Sequence, residues 1–450
     1  MGRKIAVVGA SPAGFIQLAS LVKHKLRYNK FSEDEFVLIH DPDKVWDDMV
    51  SGTTPSFFDE LSEVTTISRR WLKKYADATD CHGYKYVGWG KRRDKNTNLA
   101  FRFQTAAHFD IAKFRQELIK DGGKVFGPDV SIIEEKIDSF ELVGSTHCTI
   151  NGVAYDYVID CTDKQPLYAP LDYSGPTQEF VDTAVVLEKP IAGDWDFTIE
   201  YAGKHGHITG VPLQSKQLWT YFYHQSTDFN DVMKDFAEAF PDEDISGYKR
   251  TVIDWDPRLS NYLAHPDNNR YLRNGLALIN IEPLTGCHHE CSRVMANVIC
   301  QWMWGEFEDD DLMGMYTELI RNDYQPHLCF MYHFGSRHDT PFWQNAVEKS
   351  CEYLRGAYFL HPAYFPGKDW LNEILSDDWG SYDYRRLISN EEGDDDLEGR
   401  NRVVPYVIMS DYTLFAEICI GFGAPYADKF VTLDMVDPPE EYGTIGYEYY

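Results

Sequence analysis

The first forty residues of the chain combine a short apolar segment, a turn with two glycines and a longer amphipathic segment. Residues 4–8 are typical of a buried strand, residues 9–14 of a turn, and residues 15–25 of a helix with apolar side chains on one face. Residues 36–40 predict the next buried strand. Because parallel strands need such a crossover, this unit predicts the start of a parallel sheet in an α/β protein.

The turn after the first strand occupies the position of a GxGxxG dinucleotide-binding fingerprint. It reads Val7-Val8-Gly9-Ala10-Ser11-Pro12-Ala13-Gly14, with Ser11 in place of the second glycine. The following helix would offer free N–H groups and a positive dipole end to a phosphate. The predicted contacts are Gly9, Ala10, Ser11, Ala13 and Gly14, and Asp41 is a candidate for the ribose hydroxyls. The alternatives are a tight turn without a ligand and, for Asp41, a turn or capping role.

Length and charge limit the classes of protein that fit. A chain of 450 residues exceeds the size of one core, so we expect a cofactor-binding body over residues 1–300, with discontinuous subregions, and a helix-rich region over 301–450. A net charge of −29 would repel a phosphate backbone, which makes nucleic acid an unfavourable partner. The oligomeric state is left open, a homo-oligomer included.

The cysteines and the apolar segments indicate in which cellular compartment the protein is expected. Nine cysteines without a framework spacing suit free thiols in a reducing compartment. Arg3-Lys4 and the apolar residues that follow imitate a signal peptide, but the turn at Ser11–Gly14 would break it. No window offers about 20 uninterrupted apolar residues, so we expect no membrane span and a cytoplasmic protein.

Later segments indicate that the sheet is mixed. Residues 108–120 have helical periodicity, and short strands are expected at 131–133, 140–143, 146–150 and 155–159. Alternating aromatic and β-branched residues over 198–223 predict antiparallel strands, and residues 293–304 and 311–324 are expected to be helical. The predicted fold class is α/β, a Rossmann-like dinucleotide-binding fold with a mixed sheet and a helix-rich second region.

Seven stretches resemble, in family order, flavin-dependent tryptophan halogenases and their relatives, a phage-encoded member included. The glycine turn is the first of them. The others are Gly52-Thr53-Thr54-Pro55 with the following FFDEL, residues 78–89 (ATDCHGYKYVGW), Ala107-His108-Phe109-Asp110, Val158-Ile159-Asp160-Cys161-Thr162, Glu282-Pro283-Leu284-Thr285-Gly286, and residues 336–343 (SRHDTPFW). The resemblance implies an FAD-binding enzyme in which reduced FAD, oxygen and a halide give hypohalous acid, which halogenates an aromatic or heteroaromatic small molecule.

The resemblance also implies roles for individual residues. Lys85 corresponds to the lysine that holds the oxidant, and Glu282 is a candidate base. Thr285 and Gly286 would contact the halide, and His108, Phe342 and Trp343 the substrate. Gly52, Thr53, Thr54 and Pro55 correspond to the strap against the flavin, and Asp160 to a position beside the cofactor.

The chain departs from the family pattern in three places. A four-residue deletion is needed to bring Lys85 onto the family's lysine, and an alignment without gaps puts Cys81 there. Two residues are missing after Leu284, among them the glutamate that the family places near the lysine. The WxWxIP motif, thought to obstruct direct monooxygenation, corresponds to residues 207–212 (HITGVP), so another residue such as Trp219 takes that role or the chamber is wider. A larger halide pocket would favour bromide or iodide, with chloride also compatible.

Two further features concern metals and partners. The sequence Cys287-His288-His289-Glu290-Cys291 offers ligand types for a metal but has no second pair, so we expect no metal site. A second dinucleotide fingerprint is not found, which predicts a separate flavin reductase as the source of reduced FAD. The alternative functions are a flavin monooxygenase on the same fold and a flavin-binding protein without activity.

Overall fold

The computed structural model describes most of the first 356 residues. The described residues are 2–42, 50–52, 55–89, 99–162, 166–168, 173–174, 180–241, 244–255, 257–280, 284, 287–306, 308–317, 325, 328–329, 331–332 and 338–356. No helix among them is long and apolar enough to cross a bilayer.

Twenty strands and eight helices are described in this part of the chain. The strands are β1 (Lys4–Val8), β2 (Glu35–His40), β3 (Val50–Gly52), β4 (Thr79–Val87), β5 (Leu99–Asp110), β6 (Val130–Glu134), β7 (Phe140–Val143), β8 (His147–Ile150), β9 (Val153–Tyr155), β10 (Tyr157–Asp160), β11 (Tyr173–Ser174), β12 (Thr183–Lys189), β13 (Thr198–Gly203), β14 (Gly206–Pro212), β15 (Gln217–Tyr223), β16 (Lys249–Asp254), β17 (Arg258–Ser260), β18 (Ala264–His265), β19 (Asn268–Arg273) and β20 (Ile279–Asn280). The helices are α1 (Pro12–Tyr28), α2 (Pro55–Val64), α3 (Arg69–Tyr75), α4 (Ile111–Phe126), α5 (Phe229–Ala239), α6 (Cys287–Met303), α7 (Asp309–Thr317) and α8 (Pro341–Gly356).

The N-terminal strands form the centre of a six-stranded sheet with the order β18-β19-β10-β1-β2-β6. Five of its strands are parallel and β18 is antiparallel to β19. Every residue of β1 after Lys4 is buried, and so are twelve of the seventeen residues of α1, which agrees with a strand covered on both faces. The expected β-α-β unit is therefore confirmed, and the carboxyl ends of the parallel strands meet at one edge.

A second sheet has eight strands in the order β16-β12-β15-β14-β13-β4-β5-β3. Its strands are mostly antiparallel, with β4 and β13 a parallel pair. Two small three-stranded sheets, β7-β8-β9 and β11-β17-β20, complete the set. The predicted mixed α/β architecture is thus confirmed, including the antiparallel strands over residues 198–223.

The two sides of the eight-stranded sheet pack against different layers. One side carries Ile199, Trp219 and Tyr221 against Phe236 of α5, and we name it the α5 face. The other side carries Tyr84, Tyr86 and Ala202 against Trp89, Tyr332 and Trp343, and we name it the aromatic face. Because side chains alternate along a strand, neighbouring residues of β13 belong to opposite faces.

One element differs from the prediction in its type. His108 to Asp110 were expected to begin a helix, but they are the last residues of β5, where His108 pairs with Thr79 and Gly52. Helix α4 begins at Ile111, and the carboxylate of Asp110 caps it by accepting a 3.0 Å hydrogen bond from the N–H of Lys113. Pairing with two strands distant in sequence decides the conformation of His108, and a local periodicity cannot detect such pairing.

The expected division of the chain stays a prediction. Helix α6 runs across residue 300, where the first region was expected to end. Residues 357–450, most of the second expected region, lie outside the described residues.

Candidate functional site

The turn between β1 and α1 is built on two close backbone approaches. Gly9 has a φ of +106°, and a Cβ at this position would lie 2.5 Å from the carbonyl oxygen of Cys161. A Cβ on Gly14 would lie 2.0 Å from the carbonyl oxygen of Gly9. Only glycine fits such positions without displacing the backbone, which explains why the first and third glycines of the fingerprint are present in this sequence.

Ser11 occupies the position of the second fingerprint glycine without obstructing the turn. Its hydroxyl donates a 2.8 Å hydrogen bond to the carbonyl oxygen of Cys161 and accepts one of 3.1 Å from the N–H of Gly14. The side chain is the N-cap of α1 and is 5% exposed. The serine is therefore directed into the protein rather than toward a ligand above the helix.

The first turn of α1 fits a phosphate group. Of its four N-terminal N–H positions, Pro12 has no hydrogen and Gly14 donates to Ser11, which leaves the N–H groups of Ser11 and Ala13. The helix dipole adds a positive end at the same place. The turn also lies between β1, β2 and β10, at the edge where parallel α/β sheets bind dinucleotides.

Asp160 organises the neighbouring loop from within the protein. Its buried carboxylate accepts hydrogen bonds from the N–H and hydroxyl of Thr162 at 2.9 and 2.6 Å, from the N–H of Leu167 at 2.7 Å and from the hydroxyl of Tyr271 at 2.7 Å. These bonds fix Cys161 beside Gly9. The structure thus gives Asp160 a positioning role, and a direct contact with a cofactor stays a prediction.

Asp41 follows β2 at the same edge of the parallel sheet. One carboxylate oxygen lies 3.5 Å from the N–H of Ile137, a long hydrogen bond that ties the loop to the strand region after β6. The preceding His40 is buried beside Arg115, and burial lowers the pKa of His40 to about 4. The ribose contact of Asp41 stays a prediction.

The two described ends of the predicted strap belong to the eight-stranded sheet and to helix α2. Gly52 ends β3 and pairs with His108 of β5, and Pro55 begins α2. Thr53 and Thr54 lie outside the described residues. The backbone of the strap therefore reaches the strand end that carries the predicted substrate contact His108.

His108 lies at the centre of a buried polar group. Its Nε2 is 2.9 Å from the hydroxyl oxygen of Thr198, whose other neighbour is the thiol of Cys81 at 3.9 Å. The Nδ1 atom of His108 is buried and has no hydrogen-bond partner among the described residues. Burial lowers the pKa of His108 to about 3 and raises that of Cys81 to about 11, so both side chains are neutral at pH 7.

The predicted aromatic contacts lie on the same face as His108. Trp343 is fully buried, donates a 2.7 Å hydrogen bond to the carbonyl oxygen of Gly203 and meets Trp89 edge to face at 5.5 Å between centroids. Phe342 packs edge to face on Trp343 at 5.3 Å. Phe342 and Trp343 are in contact with each other near the Gly203 end of β13, and His108 lies on the same side of the sheet at the Thr198 end. Their substrate role stays a prediction.

Lys85 lies on the other side of the same sheet. It pairs with Ile199 of β13, whereas its neighbour Tyr84 pairs with Thr198. Ile199 packs on the α5 face, and Thr198 contacts His108 on the aromatic face. The structure therefore does not bring Lys85 together with the predicted substrate residues, and its role stays a prediction from the sequence.

The halide loop is only partly described. Glu282, Thr285 and Gly286 lie outside the described residues, so their predicted roles are not placed. Leu284, between them, is 1% exposed and packs with the aromatic face. Leu284 therefore lies next to that face.

The segment after the halide loop begins α6. His289 packs edge to face on Phe57 of α2, and Arg293 donates a 2.9 Å hydrogen bond to Glu290. Within the described ranges, no group of three or more His, Cys, Asp or Glu residues could hold a metal ion. The side chains of Cys287 and His288 lie outside these ranges.

The sequence reasoning missed one buried carboxyl group. Glu200 of β13 is 1% exposed, lies on the aromatic face and accepts a 2.8 Å hydrogen bond from the hydroxyl of Thr209. Burial raises its pKa to about 8. A glutamate that alternates with Ile199 and Tyr201 in an aromatic strand is the signal that could have identified it.

The positions of the two missing family tryptophans also lie on the aromatic face. His207 stacks on Phe222 at 5.0 Å and lies 3.3 Å from the hydroxyl oxygen of Tyr332. Thr209 binds Glu200. Trp219, the suggested replacement, packs on the α5 face against Trp195, whereas Trp89 lies on the aromatic face near His207.

Comparison with known proteins identifies the architecture. No protein-family model and no curated protein matches this sequence. The fold is similar to that of a tryptophan halogenase from Shewanella frigidimarina, with a TM-score of 0.65 and 14% identity over 93% of this chain and 95% of the other. It is similar to VirX1, with a TM-score of 0.67 and 15% identity over 95% and 99% of the two chains.

A third similar structure is that of Xcc4156, a flavin-dependent halogenase from Xanthomonas campestris. The TM-score is 0.62 and the identity 16%, over 94% of each chain. Nothing in these comparisons supports a phage origin for the chain. Over nearly its whole length, the chain has the fold of the flavin-dependent halogenases.

Proposed function

We propose that this chain is an FADH2-dependent halogenase. It uses oxygen and a halide ion to halogenate an aromatic or heteroaromatic small molecule by electrophilic substitution through hypohalous acid. The observation that carries the proposal is the fold shared with two halogenases, the tryptophan halogenase from Shewanella frigidimarina and Xcc4156, each aligned over at least 93% of this chain.

The residues of the β1–α1 turn would hold FAD. The N–H groups of Ser11 and Ala13 face a phosphate above the helix end, and Gly9 and Gly14 allow the close approach of the backbone. Ala10 and Asp41 complete the predicted contacts, with Gly52, Thr53, Thr54 and Pro55 as the strap. When bound in its reduced form, FAD supplies the electrons for oxygen, and the halide is oxidised to hypohalous acid.

The aromatic face would receive the organic substrate. Buried rings can stack on an arene, and the unpartnered Nδ1 of His108 can bind a polar substituent. Burial also separates the site from bulk solvent, into which the oxidant would otherwise escape. On the sequence resemblance, Glu282 is proposed as a candidate base and Thr285 and Gly286 for the halide, with bromide or iodide favoured and chloride compatible. The resemblance also assigns the oxidant to Lys85, but we do not adopt that role, because Lys85 pairs with Ile199 on the side of the sheet away from His108.

The proposed partners follow from the same chemistry. A separate flavin reductase would supply reduced FAD, because a second dinucleotide fingerprint is not found in the sequence. The charge of −29 continues to argue against nucleic acid as a partner.

A flavin monooxygenase is the second candidate function. The observation that favours it is the loss of both motif tryptophans at His207 and Thr209, which would remove their obstruction to direct monooxygenation. Trp89, close to His207 on the aromatic face, is the residue that could restore the obstruction.

One assay separates these functions. The chain is supplied with FAD, a flavin reductase, oxygen, phenol or indole, and chloride, bromide or iodide in turn, and products are identified by mass. Halogenated product supports the proposal. Product with added oxygen and no halogen would establish the monooxygenase, and tight FAD binding without turnover would indicate a flavin-binding protein.

A further inference from the structure

Glu200 is a carboxyl group enclosed by the aromatic face. Its side chain is 1% exposed, and Oε2 accepts one hydrogen bond, of 2.8 Å, from Thr209. No ion pair to Glu200 is found among the described residues, and burial raises its pKa to about 8. A carboxyl group in such surroundings keeps its proton at neutral pH and can donate it.

The backbone of Glu200 ties this carboxyl group to the aromatic cluster. The indole N–H of Trp89 donates a 3.1 Å hydrogen bond to the carbonyl oxygen of Glu200. The Trp89 ring then meets Trp343 at 5.5 Å and Tyr86 at 6.0 Å, both edge to face. Tyr86 is also the β4 partner of Glu200, so an arene bound among these rings would lie close to the carboxyl group.

The titratable groups around Glu200 come from several elements. Tyr86 of β4 is its strand partner, His108 of β5 binds Thr198 two residues before it, and His207 of β14, which contacts Tyr332, pairs with Ala202 two residues after it. Burial lowers the pKa of both histidines to about 3, so they carry no charge above pH 5. Among Glu200 and these two histidines, Glu200 is thus the group whose proton can be exchanged near neutral pH.

Carboxylates elsewhere in the described residues are paired with an ammonium group or with several donors. Asp110 and Glu188 both bind the ammonium group of Lys216, at 3.1 and 3.2 Å. Asp160 accepts four hydrogen bonds at the edge of the parallel sheet. Each of these carboxylates is held by donors, whereas the carboxyl group of Glu200 has one hydroxyl partner.

We propose that Glu200 is a catalytic residue of the halogenation, acting first as acid and then as base. Its carboxyl group donates a proton to the oxygen of hypohalous acid while the ring carbon bonds to the halogen. The O–X bond breaks and water leaves. The carboxylate then removes the proton from the halogenated ring carbon, and the C–H electron pair restores the aromatic system.

This sequence of steps is balanced. One C–X bond forms, one O–X bond and one C–H bond break, and the halogen gains the two electrons that the ring carbon loses. Water takes up the proton first given by Glu200, and the ring proton restores the carboxyl group. The proposal rests on the halogenase function, which supplies the hypohalous acid.

The test compares the variants Glu200→Gln, Glu200→Asp and Thr209→Val with the exposed control Glu238→Gln. For each, arene product and hypohalous acid captured by a dye scavenger are measured in the same reaction. We expect Glu200→Gln to lower product formation by about 100-fold or more while the captured oxidant rises, and Glu200→Asp to restore part of the product. Glu238→Gln should behave like the unchanged chain.

A pH profile separates catalysis from a structural role. Product formation should fall with rising pH as Glu200 loses its proton. In Thr209→Val this fall should move to higher pH, because the lost hydrogen bond had stabilised the carboxylate. Glu200→Gln should show no such fall. Unchanged profiles in Thr209→Val would overturn the proposal.

A second measurement needs neither FAD nor turnover. Infrared difference spectra of the cofactor-free protein between pH 6 and pH 10 should show the loss of a protonated carboxyl band, absent in Glu200→Gln. If the unchanged chain forms neither product nor hypohalous acid, the halogenase function itself fails. If it halogenates and Glu200→Gln does so equally well, only the role of Glu200 fails.

Discussion

The hydroxyl of Ser11 lies 2.8 Å from the carbonyl oxygen of Cys161, and this bond joins the first helix to the loop after β10. The same hydroxyl caps α1 through the N–H of Gly14. Ser11, which replaces the second fingerprint glycine, therefore stabilises the turn through hydrogen bonds on its buried side. The space above the helix end, where a phosphate would lie, is left open by the side chain.

Replacing Ser11 by alanine should lower the free energy of unfolding without weakening FAD binding. Loss of the cap and of the buried bond together should cost about 2 kcal/mol. Ser68→Ala is the matched control, because Ser68 caps α3 at an exposed position with one bond of 3.2 Å to the N–H of Trp71. Urea unfolding and FAD titration measure the two effects. A loss of FAD affinity with the same stability as Ser68→Ala would show that the hydroxyl contacts the cofactor.

Gly9→Ala should disrupt the turn much more severely. The added methyl would lie 2.5 Å from the carbonyl oxygen of Cys161 at a φ of +106°, and the expected cost is about 2 kcal/mol or more, with loss of FAD binding. Gly314→Ala is the control, because Gly314 lies in α7 with open space around it and alanine favours a helix. Thermal unfolding with and without FAD tests both. A Gly9→Ala protein that unfolds and binds FAD like the unchanged chain would contradict this geometry.

The N-terminal unit was predictable because its signals are local. An apolar run, glycines at fixed spacing and a 3.6-residue periodicity within 40 residues are sufficient to identify strand, turn and helix. The hydroxyl bond of Ser11 was not predictable, because its acceptor Cys161 lies 150 residues away.

The side of the sheet on which Lys85 lies was not predictable from the sequence, because it depends on an irregularity in strand pairing. The pairing of β4 with β5 shifts between Cys81 and Gly83, and Gly83 has a φ of +149°. Before this irregularity the odd-numbered Cys81 contacts Thr198 on the aromatic face. After it, the even-numbered residues Tyr84 and Tyr86 lie on that face. An irregular pairing of this kind re-aims every later side chain of the strand, and alignment to a motif does not show it.

Lys85→Ala should leave both the arene product and the captured hypohalous acid unchanged. The reason is the register, which places Lys85 beside Ile199 on the α5 face, away from His108 and Trp343. Lys124→Ala is the control, since Lys124 is an exposed residue of α4. The same two-product assay measures the outcome. If Lys85→Ala abolishes halogenation while the oxidant escapes, the role assigned to Lys85 from the sequence is right.

The raised pKa of Glu200 also predicts how the free energy of unfolding changes with pH. Burial raises its pKa from 4.5 to about 8, so the folded chain holds a proton that the unfolded chain has released between these values. The free energy of unfolding therefore decreases as pH rises through this window. The buried histidines act with the opposite sign, because burial lowers the pKa of His108 and His207 from 6.5 to about 3 and their effect is complete above pH 6.5.

Between pH 7 and pH 8 the effect of these two histidines is complete, so the remaining change in the free energy of unfolding reports the ionisation of Glu200. One pH unit corresponds to about 1 kcal/mol, and urea unfolding at both values should show a decrease of this order in the unchanged chain. In Glu200→Gln the decrease should disappear, and the variant should be the more stable protein at pH 8, because the amide carries no charge to bury. Glu238→Gln should keep the slope of the unchanged chain, since Glu238 is a surface partner of Lys204. An identical slope in Glu200→Gln would mean that the carboxyl group is already ionised at pH 7, and the acid step proposed for it would then lack its proton.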